Sequence, residues 1–324
     1  MRKRVTTVLL VFSMALLILD SRCAAESAGD ALALCGRVLI PSLFPLLVVS
    51  GMLVPNLKGM RLPFLCRLLG IPEGSDGLFL LGLAGGFPVG AASVSQAVRD
   101  GTISPRDGER MLGLCSFCGP AFLFGVLPRI LPTDQVMSIF VLQLETGILL
   151  AACWPGHSGK TMNPPRETFF LTEAVQKAMH SMFSICAWVI LAGIATGLLQ
   201  HWFFPLLPDE ISLILTGLLE LTNGIFSLPP EEPALIFLLC SVFVCFGGIS
   251  VLLQIGAMAG AAELRMGQCI AQKILHGLLG AIAAAAYLQW GALSFFLPPI
   301  ILFLKITLEI PGQMVYNDPR KEGI

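Results

Sequence analysis

The sequence predicts an all-α, polytopic membrane protein with two related halves and broken or re-entrant helices. Three observations predict it. Hydrophobic residues make up 55% of the 324-residue chain and charged residues 13%, too apolar for a soluble globular domain. Uncharged runs cover Val38–Leu57, Gly77–Val98, Ala178–Pro208, Pro233–Ala262 and Ile274–Leu304, and about 20 apolar residues suffice to span a bilayer. Finally, two apolar stretches, Leu78–Val98 and Met111–Leu131, carry helix-breaking centres at Gly85-Gly86-Phe87-Pro88 and Cys118-Gly119-Pro120. Such breaks are tolerated at membrane depth where the freed backbone groups face protein or a wet cavity. In transporters they often form the substrate site.

The elements follow in order. Residues 1–25 open with Met1-Arg2-Lys3-Arg4 and the apolar Val5–Leu19. This reads as an N-terminal span or as a signal peptide with a poor cleavage site at Cys23-Ala24-Ala25; either way the basic cluster favours a cytoplasmic N-terminus. Residues 26–154 form a first repeat. In it, Glu26–Val38 is expected as an interfacial amphipathic helix, and Leu39–Val54 as a span interrupted by Pro41 and Pro45. The loop Pro55–Asp76 carries Lys58, Arg61 and Arg67, which favours the cytoplasm. The two broken segments come next, joined by the turn Arg99–Pro105. Ser104 with Asp107 suggests a helix cap, with Pro105 at the first helical position. Gln135–Trp154 is a further span. Residues 155–177 are expected as a cytoplasmic linker, 178–310 as a second repeat and 311–324 as a polar tail.

The second half shows a Gly-Gly pair again, Gly247-Gly248, matched here to Gly85-Gly86. Pro233–Ala262 is 30 uncharged residues, or about 45 Å as one helix, well past a hydrocarbon core of about 30 Å. A break at Gly247-Gly248 is therefore expected. Matching interruptions in two halves point to a duplicated transporter fold and to its binding site.

Other classes lose support. A net charge of −1 gives no reason to expect nucleic acid. The ten cysteines are scattered through apolar runs and read as small core residues. Cys115 and Cys118 have CxxC spacing but no second pair. The four histidines show no metal-ligand spacing, so neither a metal nor a cofactor is expected. HExxH, GxSxG and a paired-acid constellation are absent from the sequence, which argues against an enzyme.

Leu81–Gly125 carries a more specific signal in Gly85-Gly86-Phe87-Pro88-Val89-Gly90-Ala91, the Gly101–Glu109 turn and Cys118-Gly119-Pro120-Ala121-Phe122. Ile40-Pro41-Ser42-Leu43-Phe44-Pro45 and Glu220-Leu221-Thr222-Asn223-Gly224 agree with it. The chain from about residue 30 to 310 resembles the sporulation integral membrane protein YlbJ family, within the wider Gate or "nucleoside recognition" group. One departure is Cys118, where that family has asparagine or serine. The resemblance implies a part in endospore formation. Members also called SpoVV are associated with moving dipicolinic acid across the outer forespore membrane, and the wider group includes nucleoside transporters.

Candidate substrate-binding residues cluster at the breaks: Gly85, Gly86, Pro88, Ser93, Ser95, Gln96, Ser116, Gly119, Pro120, Glu220, Thr222, Asn223, Gly247, Gly248, Ser250 and Gln254. Glu220 lies deep in an apolar run. A carboxylate there costs on the order of 3 kcal/mol on insertion scales, so it is expected either to bind substrate, a proton or a cation, or to hydrogen-bond a helix break. Half-helix N-termini are expected to hold substrate carboxylates without a buried cation. Arg99, Arg106 and Arg110 are expected either to attract the anion at the mouth, or to anchor the interface or partner Asp100, Asp107 and Glu109. The expected partners are thus a small organic anion, the lipid bilayer and a coupling proton or cation. Assembly with further copies of the chain is left open.

Overall fold

The computed structural model describes residues 2–57, 62–87, 89–154 and 171–301. Among them there is no strand. The helices are α1 (Arg2–Leu19), α2 (Ser21–Leu34), α3 (Ile40–Leu57), α4 (Pro63–Leu69), α5 (Asp76–Gly85), α6 (Val89–Arg99), α7 (Pro105–Leu114), α8 (Pro120–Gly125) and α9 (Thr133–Cys153). They continue with α10 (Leu171–Trp202), α11 (Asp209–Leu219), α12 (Leu221–Phe226), α13 (Pro233–Phe246), α14 (Gly248–Gly260) and α15 (Gly267–Trp290). Among the described residues five apolar helical runs are long enough to cross a membrane: Ser21–Val49, Thr133–Cys153, Leu171–Trp202, Pro233–Gly260 and Gly267–Ile301. The all-α polytopic architecture is as expected.

Glu26–Val38 does not lie apart as an interfacial helix. It belongs to the run Ser21–Val49, in which α2 passes through a π-helical turn, Cys35–Leu39, into α3. The reason lies in Pro41, which has no N–H to offer the carbonyl four residues back and clashes with it. A π turn changes the local hydrogen-bond register, so the chain continues as helix across Pro41 and Pro45. The helix expected to open the second repeat, α10, starts at Leu171, inside the expected linker. Residues 155–170 of the expected linker, the tail 311–324, Lys58, Arg61 and Pro88 lie outside the described residues.

The expected breaks are present. α5 ends at Gly86, whose φ of 66° and ψ of −161° define a conformation essentially confined to glycine. α7 and α8 are separated by the extended segment Cys115–Gly119. α13 and α14 meet at Gly247 and Gly248, with φ of 89° and 84°. Ser104 caps α7 by accepting the Asp107 N–H at 3.1 Å, with Pro105 at the first helical turn. A fourth break separates α11 from α12 at Glu220.

One order of elements occurs twice: a long helix, a hairpin, a broken helix and a long helix. In the first half these are α3, α5–α6, α7–α8 and α9; in the second they are α10, α11–α12, α13–α14 and α15. This order moves the correspondence by one element. Gly85-Gly86 stands opposite Glu220, and Gly247-Gly248 stands opposite Cys115–Gly119. The hairpins support the pairing. In the first, a Cβ on Gly90 would come within 2.8 Å of the Gly82 Cα; in the second, a Cβ on Gly224 would overlap the Gly217 Cα. Each hairpin thus closes on two glycines placed almost evenly about its tip.

Three apolar cores result. One joins α4, α5, α6, α7 and α14. A second joins α8, α9, α12, α13 and α15. The third joins α2, the π turn, α3, α8 and α10. Phe87 packs against the first and second, Phe122 against the second and third. α1 instead exposes Val8, Leu10, Val11, Phe12, Met14 and Ile18, as lipid contact requires.

A Cβ at Gly90 would also collide with the Cys115 carbonyl. Gly90→Ala is expected to destabilise by at least the roughly 1–3 kcal/mol typical of overpacking. At Gly29, within α2, a Cβ meets nothing within 4 Å, and Gly29→Ala is expected to gain about 0.5–1 kcal/mol from helix propensity. Thermal unfolding in detergent compares the two. Equal destabilisation would contradict the tight hairpin crossing.

Candidate functional site

Three of the four breaks line one open cavity of about 580 Å³, counting the solvent at its mouth, and α14, which follows the remaining break, lines it too. Gly85 and Phe87 of the first hairpin tip line it, with Gly119, Ala121 and Phe122 of the second break. Glu220, Leu221 and Thr222 of the second hairpin tip and Val251 and Gln254 of α14 complete the polar side. The opposite wall is apolar: Leu39, Leu43 and Leu47 on the α2–α3 run, Ile185 and Val189 on α10. Mostly apolar clefts with a few convergent polar groups are the usual form of small-molecule sites.

Of the expected site residues, Gly85, Gly119, Glu220, Thr222 and Gln254 line this cavity. Gly86, Gly247 and Gly248 shape it through contacts between tips. A Cβ on Gly86 would stand 2.5 Å from the Gly119 nitrogen, and one on Gly248 would stand 3.2 Å from the Leu221 nitrogen. These glycines let backbones touch, and substitution there would force the tips apart. Pro120 opens α8 at its first turn. Ser95 and Ser250 are buried with hydroxyls that have no partner, but neither lines the cavity, and Ser93 is half-buried beside Ser95.

Three residues do other work. Gln96 is exposed and donates to Asp100 at 2.7 Å while accepting from Arg99, so it lies outside the site. Ser116 turns its hydroxyl back to the Leu112 carbonyl. Asn223 gives its backbone N–H to Glu220, and its buried side-chain nitrogen has no partner. Arg110 is not at a mouth: its guanidinium donates to the carbonyls of Leu69, Gly70, Ala151 and Trp154, gathering the C-terminal ends of α4 and α9.

Glu220 is only 3% exposed. It caps α12, accepting the Asn223 N–H at 2.8 Å. A carboxylate of the chain itself therefore occupies that helix start, the hydrogen bond to a helix break that the sequence offered as one of two alternatives. Glu145, elsewhere in the membrane, has one buried carboxylate oxygen without a partner.

Sequence reasoning missed a polar cluster on α9 and α15. Gln143 pairs both ways with the second break, donating to the Cys118 carbonyl and accepting its N–H, each at 3.0 Å. The His276 ring nitrogen Nε2 lies 3.0 Å from the Gln143 carbonyl. Lys273, 1% exposed, donates to the Ser116 carbonyl at 2.9 Å and sits 4.9 Å from the centroid of the Phe87 ring. The sequence reading placed no buried cation near the breaks, and Lys273 is one. The available signal was the polar run Gln272, Lys273 and His276, which lies on one face of a helix otherwise rich in alanine and leucine.

All ten cysteines are free; seven are buried, as expected of core residues, whereas Cys23 and Cys186 are half-buried and Cys153 is exposed. The histidine spacing does not reveal one grouping: ligand atoms of Asp20, Cys23 and His201 lie within 4.8 Å of one another. They come from the junction of α1 with α2 and the end of α10, and Trp202 already donates to Asp20 at 3.0 Å. This is the group, among the described residues, with the donor set to hold a metal.

The comparisons bear on the whole arrangement. The chain is similar to the sporulation integral membrane protein YlbJ of Bacillus subtilis (strain 168), at 21% identity over 84% of this chain and 79% of that protein. The likeness is to a sporulation membrane protein. It agrees with the motifs at the breaks, and with the apolar helices it supports a membrane location. No family model matches the chain, and no solved structure matches it significantly.

Gln143 satisfies two buried backbone groups that a broken helix leaves free. Gln143→Leu removes both bonds, each buried group then costing about 1–3 kcal/mol. The variant is expected to melt well below wild type and to lose any ligand-induced stabilisation. Unchanged melting would mean that water or another side chain replaces Gln143.

Proposed function

We propose that the protein transports a small organic anion, with dipicolinic acid as the leading substrate, across the outer forespore membrane during sporulation. The observation that carries this reading is the convergence of three helix breaks, and of the helix that follows the remaining one, on one cavity. Two hairpin tips and the break before α8 meet there, and interrupted helices at membrane depth are the usual means by which transporters build a midplane site. Similarity to a sporulation integral membrane protein supports the biological setting. The apolar wall suits a flat aromatic ring, while Glu220, Thr222 and Gln254 offer polar contacts at the other side.

Glu220 is the proposed coupling residue. Its charge would repel a dianion sharing the cavity, so the carboxyl is protonated or paired with a cation when substrate binds. A proton moving with the anion meets that requirement and lowers the net charge carried.

Uptake of labelled dipicolinate by vesicles holding the purified protein tests the reading, with labelled nucleoside in parallel. Saturable dipicolinate uptake is expected. Uptake of nucleoside alone would move the assignment to a neutral heteroaromatic solute, which the same apolar wall would accept. Failure to move either, with a spore defect on deletion, would favour a non-transporting role in spore assembly.

Glu220→Gln is expected to retain the fold, because the amide oxygen still accepts the Asn223 N–H. Its uptake should stop or become independent of the pH gradient. Wild-type uptake with a wild-type pH profile would reduce Glu220 to a helix cap.

A further inference from the structure

Lys273 is a buried cation that the helix break does not require. Its ammonium carries three donors and meets one backbone carbonyl, that of Ser116, and the face of Phe87. Among the described residues no carboxylate forms an ion pair with it. Backbone satisfaction alone does not explain a charge at this depth. Two residues along the same segment, Cys118 is satisfied at both its N–H and its carbonyl by a neutral amide, Gln143. An unpaired charge removed from water is costly, and ionisable groups inside membrane proteins usually serve substrate or ion pathways.

Its position gives the charge a use. Phe87 lines the cavity, and the Lys273 ammonium lies over its ring. The Ser116 carbonyl that Lys273 holds is three residues from Gly119, which also lines the cavity. Phe87 is partly buried and packs against the edges of two apolar cores, belonging to the interior of neither. Its ring also touches the Gly247 position, where a Cβ would stand 3.0 Å from its Cζ. On the far side of that glycine pair, Gly248 abuts Glu220 and Leu221. The cavity therefore has a carboxyl behind one tip and a screened ammonium behind the other.

We propose that Lys273 is the counter-charge for a carboxylate of the transported anion, with Phe87 as the ring that covers it until substrate enters. This rests on the anion-transport reading and goes beyond it by naming the group that selects an anion over a neutral solute. The ring stabilises the cation while the site is empty, and displacement of the ring by a carboxylate replaces a weak partner with a strong one.

The experiment compares wild type with Lys273→Gln and Lys273→Met in vesicles. Dipicolinate uptake is read alongside thermal unfolding without ligand. Gln retains a donor for the Ser116 carbonyl, and Met removes the charge and the donor together. The expected result is at least a tenfold loss of uptake in both variants, with Lys273→Gln melting at or above wild type because the lone buried charge is gone. Wild-type uptake in either variant overturns the proposal while leaving the transport reading intact. Uptake and unfolding temperature falling together in both variants overturns it as well, making Lys273 a structural donor. Wild-type protein that moves nucleoside and no carboxylate overturns both the anion reading and this assignment.

Discussion

A broken helix inside a membrane must find partners for the N–H and carbonyl groups it frees, since lipid offers none. Much of this structure follows from that need. The Cys115–Gly119 segment is held by Gln143 from α9. The start of α12 is capped by Glu220. Arg110 collects carbonyls at the ends of α4 and α9. Each solution brings a polar or charged side chain inward, so the breaks create the polar site as well as the cavity.

Glycine supplies the second requirement, close approach. Gly82 with Gly90 and Gly217 with Gly224 let the two arms of each hairpin cross at backbone distance. Gly86 against Gly119 and Gly248 against Leu221 do the same between tips. Small residues are how helices pack tightly where the apolar solvent gives no hydrophobic drive between them.

The breaks at Gly85-Gly86, Cys118-Gly119-Pro120 and Gly247-Gly248 were legible because glycine and proline mark them locally. Glu220 was legible as an anomaly, a carboxylate among leucines, and its role as a cap explains why it sits where a helix stops. The correspondence between halves was harder to see: two Gly-Gly pairs look alike, yet they occupy different elements, and only the glycine spacing about each tip separates them. Gln96 was drawn toward the site by nearness in sequence, but the turn of α6 carries it to the surface. Lys273 escaped notice because it borders an uncharged run and looks like an interfacial anchor. Its depth is set by α15 beginning at Gly267, six residues earlier, which sequence pattern alone does not fix.

The three apolar cores have a mechanical consequence. Interiors are packed as densely as organic crystals and resist deformation, whereas the boundary between two cores is a surface along which each can keep its own packing. Phe87 and Phe122 sit on those boundaries, and both face the cavity. The void therefore lies where the molecule has seams. A change in its shape is accommodated by sliding one intact unit past another, and the stiffness of the three cores becomes what directs that movement to the place where a solute would be held.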